Sequence, residues 1–294
     1  MRKLFVGMLM ACLLTAFAFA ADNTAPPKYI WTQHVTLAGD KTANYPNLVA
    51  QFRHAVETTK ANVYWIAAGN LTGSVRQLNF ISFYDNFAAI ETDMPAYKAI
   101  DEELMQKNPE FSAQAGAAEL EPHSIIAKYI PSLSFNADKV AIPDAKWWEI
   151  TTVYIKPGRE SAFADLVKQE QDLLQKGGAD EHFLTYRIIA GAAAPGAAYY
   201  IVIPRKSLAE MDVDNSSKMK DVVTPLIRQH MDSMAGDILT RIETNILMVR
   251  PDMSRPPQTF LAANPDFWTI KEPAQPVVAA KKKQPKKAAP AVGE

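Results

Sequence analysis

Four side chains could share or move a proton if the fold brings them to one wall: His34, Tyr64, Tyr154 and Tyr186. Imidazole titrates near neutrality and phenol both donates and accepts, so a dry pocket holding them could bind a polar group or exchange a proton with it. The competing reading makes the tyrosines core filler with hydroxyls at the rim, and His34 a satisfied histidine. Other chemistries lack their residues. The five histidines, at 34, 54, 123, 182 and 230, include no H-x-H or H-x-x-x-H pair that would put two ligands on one face. Asp212-x-Asp214-Asn215 lacks the glycine and the distal glutamate of a calcium loop. Nucleophile elbows, phosphate loops and dinucleotide fingerprints are missing as well. We therefore expect no metal and no cofactor, and leave the catalytic residues, if any, unassigned.

The elements that would position those four residues begin after residue 20. Arg2 and Lys3 precede an apolar run from Leu4 to Ala20 that ends in Ala18-Phe19-Ala20, the pattern of a cleaved signal peptide. An uncleaved anchor is the alternative, but the run is short for a membrane span. Cleavage near Ala20 would send the protein to the periplasm or the medium, with no transmembrane span. It would also remove Cys12, the only cysteine, and with it any disulfide or thiol chemistry.

At the other end, residues 271–294 turn to Lys, Ala, Pro and Val, a composition that cannot offset ordering entropy and reads as a disordered tail. Lys281, Lys282, Lys283, Lys286 and Lys287 could touch an anionic surface weakly, or simply aid solubility. The formal net charge of the 294-residue chain is -1. Setting aside the leader and this tail leaves an acidic body, which argues against a nucleic-acid partner.

Between the ends the chain repeats itself. Ile125 to Ser134 and Asn245 to Ser254 are both strand-like runs that meet a proline and end in serine. Phe80-Ile81-Ser82-Phe83 matches Tyr200-Ile201-Val202-Ile203 at the same spacing, and each leads into a helix-like run, Phe87 to Asp93 and Leu208 to Asp212. Alternating runs at 29–37 and 147–155 open the two copies, and an amphipathic helix follows, with Phe163, Leu166, Val167, Leu173 and Leu174 as its stripe in the second copy. Asn108-Pro109 and Thr224-Pro225 read as helix starts.

The element order, βαββαβ twice, predicts an α+β fold of two tandem ferredoxin-like repeats at 21–140 and 141–254. One such sheet leaves a face bare, so two copies should press together into a pseudo-dimeric barrel with helices outside. Residues 255–270, with Phe260, Leu261, Phe267 and Trp268, would form an apolar strap. Alternation puts Trp148, Ile150, Thr152 and Tyr154 on one face, with Ile30, Thr32, His34 and Thr36 as their first-copy counterparts. Aligning Gly69 with Gly191 makes Tyr64 the counterpart of Tyr186.

Tyr154-Ile155-Lys156-Pro157-Gly158 and the helix Ala162–Lys176 resemble the opening of NIPSNAP-type domains and their relatives, the antibiotic-biosynthesis-monooxygenase-like dimeric α+β barrels. Thr152 stands where members often carry arginine, and the first copy has Leu37-Ala38-Gly39-Asp40 with no tyrosine. The resemblance implies a fold and a cavity between sheets where some relatives bind or oxidise small aromatic or polyketide-like molecules. By analogy other tandem barrels hold haem, but no histidine here can be argued as its axial ligand. Three functions remain: an exported protein binding a small apolar or aromatic molecule without catalysis, a cofactor-independent monooxygenase or isomerase in the same cavity, and a structural or interaction module tethered by its basic tail.

Overall fold

In the computed structural model, which describes residues 25–192, 195–213 and 216–270, eight strands close into one barrel. The signal-peptide and lysine-tail expectations fall outside the described residues. The strands are β1 (Tyr29–Leu37), β2 (Ile66–Asn70), β3 (Gln77–Tyr84), β4 (Glu119–Tyr129), β5 (Trp147–Ile155), β6 (Leu184–Ala190), β7 (Ala198–Arg205) and β8 (Leu239–Val249). They run β1-β3-β2-β8-β5-β7-β6-β4 around the ring, and every pairing is antiparallel. Each half of the chain supplies four neighbouring strands in the same order, joined at two seams, β2 with β8 and β6 with β4. Following the ring, β1, β2, β5 and β6 point one way, so their C-terminal ends gather at one end of the barrel.

Helices sit outside. They are α1 (Tyr45–Thr58), α2 (Phe87–Lys107), α3 (Phe111–Ala118), α4 (Glu160–Lys176), α5 (Ser216–Met219), α6 (Pro225–Ile238), α7 (Gln258–Ala263) and α8 (Pro265–Trp268). Alternation divides each strand between two cores. Val35 and Leu37 of β1 face outward against Leu48, Val49 and Val56 of α1, and Val153 and Ile155 of β5 do the same against Phe163, Leu166 and Val167 of α4. The second helix is longer than its sequence suggests. It continues through Pro95 to Lys107 because Ile100 and Leu104, one turn apart, are buried in the core with α1. Asn108 ends that helix rather than starting the next, its side-chain oxygen accepting the Glu110 N–H at 3.2 Å. Thr224 does cap α6, accepting the Ile227 N–H at 3.3 Å.

The repeated proline–serine signature has a mechanical role. After β4 and β8 the chain makes 3-10 turns at Pro131–Leu133 and Pro251–Met253. Ser134 then donates to the Ile130 carbonyl at 3.0 Å and accepts the Thr185 N–H at 2.9 Å. Ser254 donates to the Arg250 carbonyl at 2.7 Å and accepts the Ala67 N–H at 2.9 Å. Each serine thus grips a strand of the opposite half. Ser254→Ala would leave the buried Ala67 N–H unpaired and should cost ~1–3 kcal/mol; Ser134→Ala should act alike, and the double variant should show the sum. Urea unfolding would show falling midpoints at constant slope; a double variant no weaker than either single would contradict independent clamps.

One repeat match needs correction by a single residue. Asn79 pairs with His34 and Tyr200 pairs with Thr152, so Asn79, not Phe80, is the counterpart of Tyr200. A one-residue slip exchanges faces: Phe80 packs outward near Tyr45, with ring centroids 6.3 Å apart, while Tyr200 points inward.

Candidate functional site

The inward faces of the eight strands enclose a cavity of about 400 Å³. Ile30, Thr32 and His34 of β1 and Trp148, Ile150, Thr152 and Tyr154 of β5 all line it, as alternation on those strands requires; Thr36 does not. The cavity is chemically polarised along the barrel axis. At the end where β1 and β5 begin, its wall is Ile30, Phe83, Ile142, Trp148, Leu184 and Leu247. The segment after β8 packs against this end: Phe260 lies 5.9 Å from Phe83, and Trp268, 2 % exposed, donates its Nε1–H to the Pro143 carbonyl at 2.8 Å. At the opposite end stand His34, Asn70, Gln77, Asn79, His123, Tyr154, Tyr200, Arg241, Glu243 and Asn245. Arg241 and His123 are exposed, so the polar end is the mouth.

His34 is the centre of that mouth. Its Nδ1 lies 2.6 Å from Asn79 Oδ1, and the Asn79 amide nitrogen is committed to the Ala68 carbonyl at 3.2 Å and to Asn70 Oδ1 at 2.9 Å. Asn79 therefore presents its oxygen, and His34 carries its proton on Nδ1. That leaves the Nε2 lone pair facing the Tyr200 hydroxyl, 3.4 Å away. Gln77 completes the set by donating its amide N–H to Asn79 Oδ1 at 3.4 Å; its 3.2 Å approach to the protonated His34 Nδ1 is a contact between two donors and not a hydrogen bond. Burial pulls the His34 pKa down to about 4; the Asn79 bond opposes this, and His123, stacked on it at 4.8 Å, assists it. The imidazole is neutral at pH 7.

The phenols are neutral too. Burial raises the pKa of Tyr186, with its neighbour Tyr129 at 5.5 Å contributing, and burial likewise raises that of Tyr200. Tyr154 is raised by burial and by Glu243, against the opposing Arg241 guanidinium, 5.6 Å from its ring. All three are protonated phenols, able to donate and accept hydrogen bonds rather than to serve as anions.

Of the four residues singled out from sequence, His34, Tyr154 and Tyr186 line the cavity, and Tyr64 does not. Thr185 and Ala67 occupy matching places against the two serines, which makes Ala68 the counterpart of Tyr186. Tyr64 precedes β2 beneath the Arg255 guanidinium, 4.8 Å from its ring. Gly69 lies within β2 whereas Gly191 follows β6, so aligning the glycines shifts the match along the strand. Asn79, His123 and Tyr200 were missed. Alternation on β3 and β7 could have supplied Asn79 and Tyr200, but His123 joins His34 only through the β1–β4 register, which no local pattern sets. Among the described residues no group of three or more His, Cys, Asp or Glu could hold a metal ion, and no helix is long and apolar enough to cross a membrane.

The low pKa of His34 makes a testable linkage. The unfolded imidazole titrates near 6.5 and the folded one near 4, so between those values the unfolded chain takes up the extra proton and stability falls as pH falls. From pH 7 to 4 the protein should lose on the order of 3 kcal/mol more than His34→Gln, an upper figure for so partly open a site. Urea midpoints across that range measure it, and parallel profiles would refute the assignment.

No protein-family model and no curated protein matches the chain. Solved structures do. An anthrone oxidase-like protein is 13 % identical, with a TM-score of 0.46 over 77 % of this chain and 93 % of its own. A candidate monooxygenase from Lactobacillus acidophilus NCFM gives 13 % and 0.46 over 79 % and 97 %. Chlorite dismutase from Candidatus Nitrospira defluvii gives 8 % and 0.44 over 81 % and 96 %. Likeness this distant concerns the coarse α+β barrel, and no chemistry follows from it.

Proposed function

We propose that this protein is exported and holds a small, largely apolar or aromatic molecule in its barrel, without catalysis. The observation that carries this reading is the polarised cavity: an apolar floor sealed by the segment after β8, and a polar mouth in which uncharged donors and acceptors surround His34 beside Arg241 and Glu243. Such a lining suits a ligand with an apolar body and one polar end. A histidine that protonates only near pH 4 is a weak base at neutral pH, which favours hydrogen bonding over proton abstraction.

The exported state rests on the leader ending at Ala20, and the architecture on two ferredoxin-like units, a reading supported by the shared strand order of the halves. The narrower NIPSNAP-type likeness rests on Tyr154 to Gly158, where Gly158 takes φ +77° ahead of α4. Weak contact of the lysine tail with an anionic surface belongs to the same proposal.

One arrangement favours a second reading, a cofactor-independent monooxygenase or isomerase. The Tyr200 hydroxyl faces His34 Nε2, so a proton could pass between them, with Asn79 holding the imidazole in the tautomer that accepts it. Substituting His34 and Tyr154 separates the two, since turnover would vanish under the enzyme reading and affinity would merely weaken under the binding one.

The test is to purify the protein from its native host and record its absorption spectrum and native mass before and after denaturation. A released small molecule supports the cavity as a binding site. A bare chain overturns tight binding and favours the enzyme or a tail-driven interaction, the latter checked by deleting residues 271–294.

A further inference from the structure

The His34 imidazole reaches across the barrel. Its Nδ1 proton is spent on Asn79 of the neighbouring strand β3, at 2.6 Å, so Nε2 points away from its own wall. There it meets the Tyr200 hydroxyl of β7, a strand three places from β1 around the ring. Inward-facing side chains of non-adjacent strands meet only through the lumen, so the Nε2 lone pair stands in the cavity that both residues line. Hydroxyl donors prefer about 2.8 Å, which leaves the lone pair under-used at 3.4 Å. Among the described residues no other donor approaches it.

The surroundings decide what can use that lone pair. Thr152 of β5 pairs with Tyr200 on one side and with Glu243 of β8 on the other, which sets the Glu243 carboxylate at the same level. Arg241, paired with Glu243 and lying over the Tyr154 ring, is two residues nearer the mouth. An anionic head would face both a lone pair and a carboxylate, and a cationic one would shed its hydration beneath a guanidinium. An uncharged O–H meets neither obstacle: it donates to Nε2 while its oxygen accepts from Tyr200. Toward the floor the wall is branched hydrocarbon, from Ile30, Ile81, Ile125, Ile150, Leu184 and Val202. Ile30 precedes His34 on β1 by about 13 Å of strand, or roughly 10 Å along the axis of a tilted barrel, room for about eight carbons.

Resting on the binding function proposed above, we propose that the barrel takes an aliphatic alcohol, its terminal hydroxyl donating to His34 Nε2 and its chain running toward the floor. His34 is then the residue that sets specificity, since it accepts a hydrogen bond from an alcohol and none from an ether of the same formula. Asn79 is a positioning residue that keeps the proton on Nδ1 and the lone pair on Nε2.

The isomers 1-octanol and 1-methoxyheptane have chains of equal length, one with a donor and one without. Titration calorimetry at pH 7 compares them on the purified protein, on His34→Phe and on Tyr200→Phe, with circular dichroism to establish folding. The protein should prefer octanol by roughly 3- to 10-fold, the worth of one hydrogen bond, and His34→Phe should bring the ratio close to one. Tyr200→Phe should weaken both probes and keep the preference, because alcohol and ether oxygens alike accept from that phenol. Should His34→Phe fail to fold, the unsubstituted protein still decides. In a long-range ¹H–¹⁵N spectrum its His34 Nε2 signal should move upfield with octanol and stay in place with methoxyheptane. Equal affinities or an unmoved Nε2 signal would overturn the inference while leaving the cavity a binding site. Tighter binding of octylammonium or octanoate than of octanol would overturn it as well. If none of the four probes binds, the inference falls, and the native mass before and after denaturation separately decides whether the binding reading falls with it.

Discussion

Trp268→Ala is expected to lower the unfolding free energy by about 3–5 kcal/mol, the range for removing a large buried aromatic. The indole is 2 % exposed and sits between Phe260, at 5.7 Å, and Phe267, at 4.9 Å. Its N–H bond to the Pro143 carbonyl ties α8 to the turn that leads into β5. Little can collapse into the gap, because the neighbouring strands are held by their ladders, so the cost of the void adds to that of the lost contacts. Trp268→Phe keeps most of the packing and loses the hydrogen bond, and should cost less, about 1–2 kcal/mol. Chemical denaturation of both variants measures the difference. Destabilisation of the alanine variant below about 1 kcal/mol would mean that the segment after β8 rests on the barrel without holding it.

Gly191→Ala is the second large effect. Gly191 follows β6 at φ +85°, a conformation that costs an L-residue about 1–2 kcal/mol. A Cβ there would also run into the Ser124 carbonyl oxygen on β4, across one of the two seams that close the ring. The backbone must give way at a bulged register, between Ile126 and Ala127, so the total should reach about 3–4 kcal/mol. Gly158→Ala supplies the control. It has φ +77° but nothing within 4 Å of a new Cβ, so it should cost only the conformational share, about 1 kcal/mol. Thermal unfolding of the pair measures the gap; equal losses would remove the steric argument. Because Gly191 also lines the cavity, its substitution should also weaken the binding of the small molecule that we propose the barrel holds.

What could be read from the chain, and what could not, divides along a physical line. Alternation on β1 and β5 is a local property, and it correctly turned His34, Thr152 and Tyr154 inward. The proline–serine signature was visible as a repeat although its purpose, gripping the opposite half, depends on the assembled barrel. Registers between strands distant in sequence are decided by side-chain packing and by bulges, and no local pattern reports them. That is why Phe80 was matched to Tyr200, why Tyr64 was drawn into the site, and why His123 was left out of it.

The strand pairings also show where the two halves differ at matching places. Thr152 stands where the first half has His34, Tyr200 where it has Asn79, and Glu243 where it has His123. A ring made of two identical chains would present every wall twice, so an unsymmetrical guest could lie in it either way round with equal energy. Here one wall carries imidazoles and amides and the other a phenol and a carboxylate, which makes the two poses unequal. Lifting that degeneracy is worth only RT ln 2, about 0.4 kcal/mol, in affinity. Its larger consequence is hereditary: one wall can mutate without its twin, so the orientation of the ligand proposed above can be selected independently of the fold that encloses it.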